Sequence, residues 1–226
     1  TMFKHLVLGL KIYGEYGLKG AQLAVHQINS SGGILGHPVK LIVRDNNTNP
    51  AISVQHTREL IQIDNIFALM GPVSSAARLA MNEVAEKFKI PQLYGIDYEG
   101  HHYSRYLVNY STIPEHYIWP VVPYLTEHFG KRFYIFGYDY IWPHRMSESI
   151  TREVNKNSGE IKGVEFTQFA VQDYTPVFER IKTSGADNLM LILPGADGFR
   201  FLSQMNNFNF DRDIKTVAFA ADETYL

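Results

Sequence analysis

Short apolar runs rich in β-branched and aromatic residues recur along the chain. They fall at Leu6–Leu10, Val39–Val43, Ile66–Met70, Gln92–Tyr94 and Tyr106–Tyr110, then at Phe133–Phe136, Val164–Phe169, Leu189–Leu193 and Thr216–Ala220. Between most of them the apolar residues return every three or four positions, the spacing of a helix with one buried face. Leu18, Ala21, Val25 and Ile28 form one such stripe, with Gly32-Gly33 as its stop. Asn49-Pro50 reads as an N-cap followed by proline at the first helical position, ahead of Val54 and Ile61. Further stripes are Ala77-Ala80-Val84-Phe88, Ile118-Val122-Leu125-Phe129 before Gly130, and Met146-Ile150-Val154 before Gly159. Thr175-Pro176 opens another through Val177 and Ile181 to Gly185, and Phe201, Met205 and Phe208 predict one more. Strands that are apolar throughout, alternating with helices, predict an α/β fold of parallel sheets covered on both faces.

The strands divide into five up to about Tyr110 and four from Arg132 to Ala220, so two sheets fit better than one. The polar passage Ser111-Thr112-Ile113-Pro114-Glu115-His116 reads as the crossover between two lobes. Residues 1–113 are then lobe 1, residues 114–221 lobe 2, and residues 222–226 the start of a second crossover. Ligands of open parallel sheets bind outside the carboxyl ends of the strands, so two such lobes can close on a small molecule.

Composition narrows the class without choosing a function. Of 226 residues, 45% are apolar and 19% charged, with a net charge of −2, which gives no basic footprint for nucleic acid. No run approaches the ~20 apolar residues of a membrane helix. Cysteine is absent, which excludes disulfides and thiolate metal sites in this chain. Thr1-Met2-Phe3-Lys4-His5 lacks the pattern of a secretion signal, so the protein is expected to stay inside the cell or to have lost a signal upstream.

The stretch Met70-Gly71-Pro72-Val73-Ser74-Ser75-Ala76-Ala77-Arg78 carries the sharpest chemical expectation. It reads as a strand, a tight turn and a helix start, with two hydroxyls where backbone N–H groups lack partners. Such an end holds a carboxylate or carbonyl without catalysis. The plain alternative is that Ser74 or Ser75 only caps its helix.

Several segments together resemble the type I periplasmic binding proteins, in the branch that includes branched-chain amino-acid, amide and urea receptors. They are Tyr16-Gly17-Leu18-Lys19-Gly20-Ala21-Gln22-Leu23-Ala24, Gln27 to Gly36, Arg44-Asp45, the Asn49-Pro50 helix start and Gly71 to Ser75. Tyr98-Glu99-Gly100, Gly137 to Pro143, and Asp173-Tyr174-Thr175-Pro176-Val177 are similar to the amide and urea subgroup. The resemblance implies two Rossmann-like lobes and a solute receptor of an ABC importer that works by lobe closure. Its ligand would be a short amide, urea or a branched-chain-type amino acid. Its partners would be the transporter's membrane subunits and, at most, a second copy of the chain, and its location the periplasm. The alternatives are a ligand-sensing domain of a regulatory or signalling protein, in the cytoplasm for instance, and an amide-processing enzyme. Family members carry more sequence after the position of Asp222-Glu223-Thr224, so the chain is expected to be truncated at its C-terminus. The stretch between Leu10 and Tyr16 is also shorter than in the family.

The resemblance places ligand contacts at Val73, Ser74 and Ser75, at Tyr94 and Ile96, at Tyr140 and Trp142, near Asp197, and at Asp222 or Glu223. Tyr94, Tyr98, Tyr140 and Trp142 can form an aromatic wall or simply pack inside a lobe. A ligand ammonium would need an acid beside it. Asp97, Asp139, Asp197, Asp222 and Glu223 all offer one.

Enzyme and metal readings are weaker. Gly-Pro-Val-Ser-Ser-Ala lacks the nucleophile-elbow pattern, and Gly14-x-x-Gly17-x-x-Gly20 lacks the dinucleotide-binding order. That glycine series reads instead as a tight βα turn with close helix packing. Asp97, Glu99, His101 and His102 read as a solvated loop rather than a metal site. No catalytic residue, metal or cofactor is expected.

Overall fold

The computed structural model describes residues 2–4, 11–208 and 214–221. The chain divides into two compact units, Thr1–Ser111 and Thr112–Leu226. In the first unit the elements are β1 (Met2–Lys4), α1 (Lys11–Ser30), β2 (Val43–Asp45), α2 (Pro50–Gln62), β3 (Leu69–Met70), α3 (Ser75–Phe88), β4 (Gln92–Tyr94) and β5 (Leu107–Asn109). The second holds α4 (Pro114–His128), β6 (Arg132–Tyr138), α5 (Ile141–Lys156), β7 (Glu160–Thr167), α6 (Thr175–Ser184), β8 (Asn188–Ile192), α7 (Ala196–Asn207) and β9 (Lys215–Ala218). Among the described residues no helix is long and apolar enough to cross a membrane.

Both sheets are wholly parallel, as the strand–helix alternation predicts. The first runs β2-β1-β3-β4-β5 and the second β7-β6-β8-β9. In each the chain order reverses beside the unit's first strand, between β1 and β3 and between β6 and β8. Those reversals are the switch points of the two sheets, where a crevice opens outside the carboxyl ends of the strands.

Several helix starts and stops follow the sequence rules. Asn49 Oδ1 accepts hydrogen bonds from the N–H groups of Ala51 (2.8 Å) and Ile52 (3.2 Å), and Pro50 follows at the first helical position. α6 stops at Gly185, which is left-handed at φ 69°. In the second unit strand alternation splits the core in two. Phe136, Tyr138, Leu189 and Leu191 pack with α6 and α7, and Phe133, Ile135, Met190 and Ile192 pack with α4 and α5.

The expected strand Leu6–Leu10 lies outside the described residues, and a strand is described at Met2–Lys4. Two strand expectations need correction. The second strand is not Val39–Val43 but Val43–Asp45. The Asn29 side chain holds the backbone of Val39, accepting from its N–H at 2.7 Å and donating to its carbonyl at 2.9 Å, so Val39 cannot join a ladder. The seventh strand begins at Glu160, before the apolar run Val164–Phe169. It lies at a sheet edge, where exposed and half-buried residues alternate and an unbroken apolar run is not required.

Candidate ligand site

At the switch point of the first sheet a cavity of about 310 Å³ opens at the carboxyl ends of the strands. Tyr13, Gly14 and Gly17 of α1 form one wall, Val73 after β3 and Ile96 after β4 form another, and Tyr110 after β5 closes a third. Every lining side chain is uncharged. Gly14, Gly17 and Gly20 therefore do not make a βα turn. They lie within α1, and their missing side chains leave its inner face open toward the strands.

The loop after β3 is braced from beneath. Ser74 is the N-cap of α3, and its Oγ accepts a hydrogen bond from the Ala77 N–H at 3.3 Å. This is the capping role expected of one of the two serines. The Tyr94 hydroxyl donates to the Val73 carbonyl at 2.8 Å, which fixes the turn that carries Val73. Burial pushes the Tyr94 phenol pKa well above its ordinary value, so this donor keeps its proton.

Ser75 is 1% exposed, and its hydroxyl donates to Glu99 Oε2 at 3.1 Å. Arg78, one turn further along α3, donates from Nη2 to Glu99 Oε1 at 2.6 Å. The guanidinium lies over the rings of Tyr94 (5.0 Å) and Tyr98 (4.5 Å), which adds a cation–π contact to the ion pair. The Ser75 proton is thus committed inside the unit. Glu99, expected in a solvated loop, is only 3% exposed, and the Arg78 charge explains why it is inside. His102 Nε2 pairs with Asn82 Oδ1 at 2.8 Å, and the Tyr98 hydroxyl donates to the His102 carbonyl. Among the described residues no three His, Cys, Asp or Glu side chains gather as metal ligands would.

The second unit uses its switch point differently. Asp197, in the first turn of α7, is 5% exposed. Its carboxylate accepts from the Tyr138 hydroxyl (2.9 Å), the Ala170 N–H (2.6 Å) and Arg200 Nη1 (2.7 Å). One side chain thereby ties together the segments after β7 and β8 and the last residue of β6. Burial, then the Asp197 charge, hold the Tyr138 phenol pKa far above its ordinary value. Tyr140 is the N-cap residue of α5 and stacks with Phe169 (5.8 Å) and Trp142 (6.5 Å). Trp142 is buried in the core with Ile118 and Met146. Asp139 pairs at the surface with His144 Nε2, 2.8 Å away.

Of the residues expected from sequence, the structure brings Val73 and Ile96 together on one cavity, with Ser74 and Tyr94 shaping its wall. Tyr140, Trp142 and Asp197 belong to the second unit. Asp222 and Glu223 lie outside the described residues. Sequence reasoning missed the Arg78–Glu99 pair, Tyr13 and Tyr110. A signal for the pair existed in Arg78, a lone cation one turn from Ser75 within the Ala77–Ala80 apolar stripe.

A fold of two parallel α/β units with a crevice at a switch point is that of the periplasmic binding proteins. The sequence pattern of the family described as periplasmic binding protein matches residues 9–226, and the chain belongs to that family, in its type I branch. A protein called Leu/Ile/Val-binding protein homolog 7, from Brucella abortus (strain 2308), is 28% identical over 82 residues, 36% of this chain and 20% of that protein. A periplasmic binding protein from Burkholderia mallei superposes with a TM-score of 0.85 at 21% identity, over 96% of this chain and 58% of that one. A solute binding protein of an ABC transporter from R. palustris, solved in complex with benzoate, gives 0.84 at 16% identity, over 99% and 62%. The chain therefore spans about 60% of these solved relatives' length, and the matched segment about a fifth of the curated one.

Proposed function

We propose that this chain forms part of the solute receptor of an ABC importer, taking a small ligand that joins one polar head to an apolar or neutral body. The observation that carries the proposal is the uncharged cavity at the switch point of the first sheet, lined by Val73 and Ile96. Its volume is at the lower end of the ~300–1,000 Å³ of small-molecule sites. An unpaired ammonium among such walls would cost several kcal/mol, about what a good site gains, so the cavity favours an apolar tail or a neutral group. The start of α3 beside Val73 supplies backbone N–H groups and a positive dipole end for a carboxylate or carbonyl oxygen.

A branched-chain-type amino acid fits these terms with its side chain in the cavity and its ammonium outside it beside an acid, and short amides and urea fit as neutral guests. The name of the Brucella relative and the benzoate in the R. palustris structure supply the same pairing of a carboxylate with an apolar body. Binding is non-covalent, with closure of two lobes around the guest and delivery to transporter membrane subunits in the periplasm. Isothermal calorimetry with leucine, isoleucine, acetamide and urea tests the proposal. Saturable binding in the micromolar range, about −8 kcal/mol, with the ligand recovered unchanged, is the expected result. Turnover of an amide, or no heat from any of the four, refutes it.

A further inference from the structure

Tyr110 lies one residue beyond the edge strand β5 and extends its ladder, donating its N–H to the Tyr94 carbonyl at 3.1 Å. Its ring rests against Gly95. A Cβ added to Gly95 would stand 2.3 Å from the Tyr110 hydroxyl oxygen, 2.4 Å from Cζ and 2.5 Å from Cε2. The ring therefore fills the space that a side chain at position 95 would need, and glycine there is a condition for its position. One side of the ring lines the uncharged cavity beside Ile96 and Val73, while the residue as a whole is 58% exposed. It is a wall with solvent behind it, unlike Tyr94 and Tyr98, which are sealed inside the unit. Partial burial raises the pKa of its phenol, so the tip stays protonated at neutral pH.

We propose that Tyr110 is the specificity-determining residue of this cavity: its ring, seated on Gly95, closes the outer wall and sets how large an apolar ligand body fits. This rests on the reading that the cavity seats the ligand. Gly95 and Tyr110 act as a matched pair. Removing the ring opens the wall to larger bodies, and adding a methyl at position 95 drives the ring off its seat with a similar result. The hydroxyl is not required for this role, so Tyr110→Phe keeps the size preference.

The test is calorimetry with valine, leucine and phenylalanine on the unaltered chain, Tyr110→Ala, Tyr110→Phe and Gly95→Ala, with folding checked by circular dichroism. Tyr110→Ala is expected to raise phenylalanine binding relative to leucine by about tenfold, the scale on which apolar pockets discriminate size. Gly95→Ala is expected to move the ratio the same way, and Tyr110→Phe to hold it. An unchanged ratio in Tyr110→Ala overturns the proposal. Should Tyr110→Ala not fold, Tyr110→Val, suited to the end of a strand, takes its place. If the unaltered chain binds none of the three amino acids, the receptor reading fails separately. Benzene uptake followed by NMR then decides the role of the ring. Uptake by Tyr110→Ala or Tyr110→Val beyond that of the unaltered chain supports it, and equal uptake overturns it.

Discussion

The two units repeat one topology and treat its switch point in opposite ways. In the first, the crevice between the ends of β1 and β3 is left as a cavity with uncharged walls, and the charges Arg78 and Glu99 are paired away beneath it. In the second, the buried carboxylate of Asp197 sits at the carboxyl ends of the strands, with three hydrogen bonds from its own unit. A parallel sheet provides strand ends in both cases, and side chains decide whether they stay open or are filled by the protein itself. The cores differ in the same sense. Strands of two or three residues build the first sheet, and strands of four to eight residues between two large apolar clusters build the second.

The strongest way to break this comparison is at the polar foundation of the first unit. Glu99→Ala leaves Arg78 buried without its carboxylate and is expected to cost about 3–5 kcal/mol. Urea denaturation measures it. The double variant Arg78→Met with Glu99→Leu is expected to recover much of that loss, because no charge is then left buried. In the second unit Asp197→Ala strands the Tyr138 hydroxyl, the Ala170 N–H and Arg200 together. A loss of about 2–3 kcal/mol is expected in the same denaturation, given what charged hydrogen bonds contribute. Ser74→Ala removes only the cap of α3 and should cost about 1 kcal/mol.

The smallest effect is a pH dependence in the second unit. The hydrogen bonds from Arg132 to Asp187 hold the Asp187 carboxyl below its ordinary range, burial opposing them. A carboxyl depressed in the folded state stabilises at pH above its unfolded value, near ~4, and that contribution is lost as pH falls through the folded value. Half the Arg132 side chain is exposed, so solvent screens the pair and the effect is modest. Thermal melts of Asp187→Asn should match the unaltered chain at low pH and fall slightly below it near neutrality.

The fold was largely legible because local rules and global architecture agree. Asn49-Pro50, Thr175-Pro176 and Gly185 mark helix ends through interactions within a few residues, and apolar runs mark buried parallel strands. The place of Val39 is not legible locally, because a side chain ten residues away holds its backbone. Val73 and Ile96 are expected at the site only through the family resemblance, and the structure places both on one cavity. The fate of the Ser75 proton was not legible, since it depends on Glu99, 24 residues on, and on Arg78 keeping that carboxylate inside. Tyr110 was equally hidden: its place follows from the missing side chain of Gly95, on a neighbouring strand's exit.

Methyl NMR of the folded chain during a leucine titration tests most directly whether the first switch point is where the ligand sits. Saturable shifts of the Val73 and Ile96 methyl signals, with those of Ile135 and Ile150 in the second core unmoved, are the predicted result. Leucine binding that leaves Val73 and Ile96 where they were would contradict it.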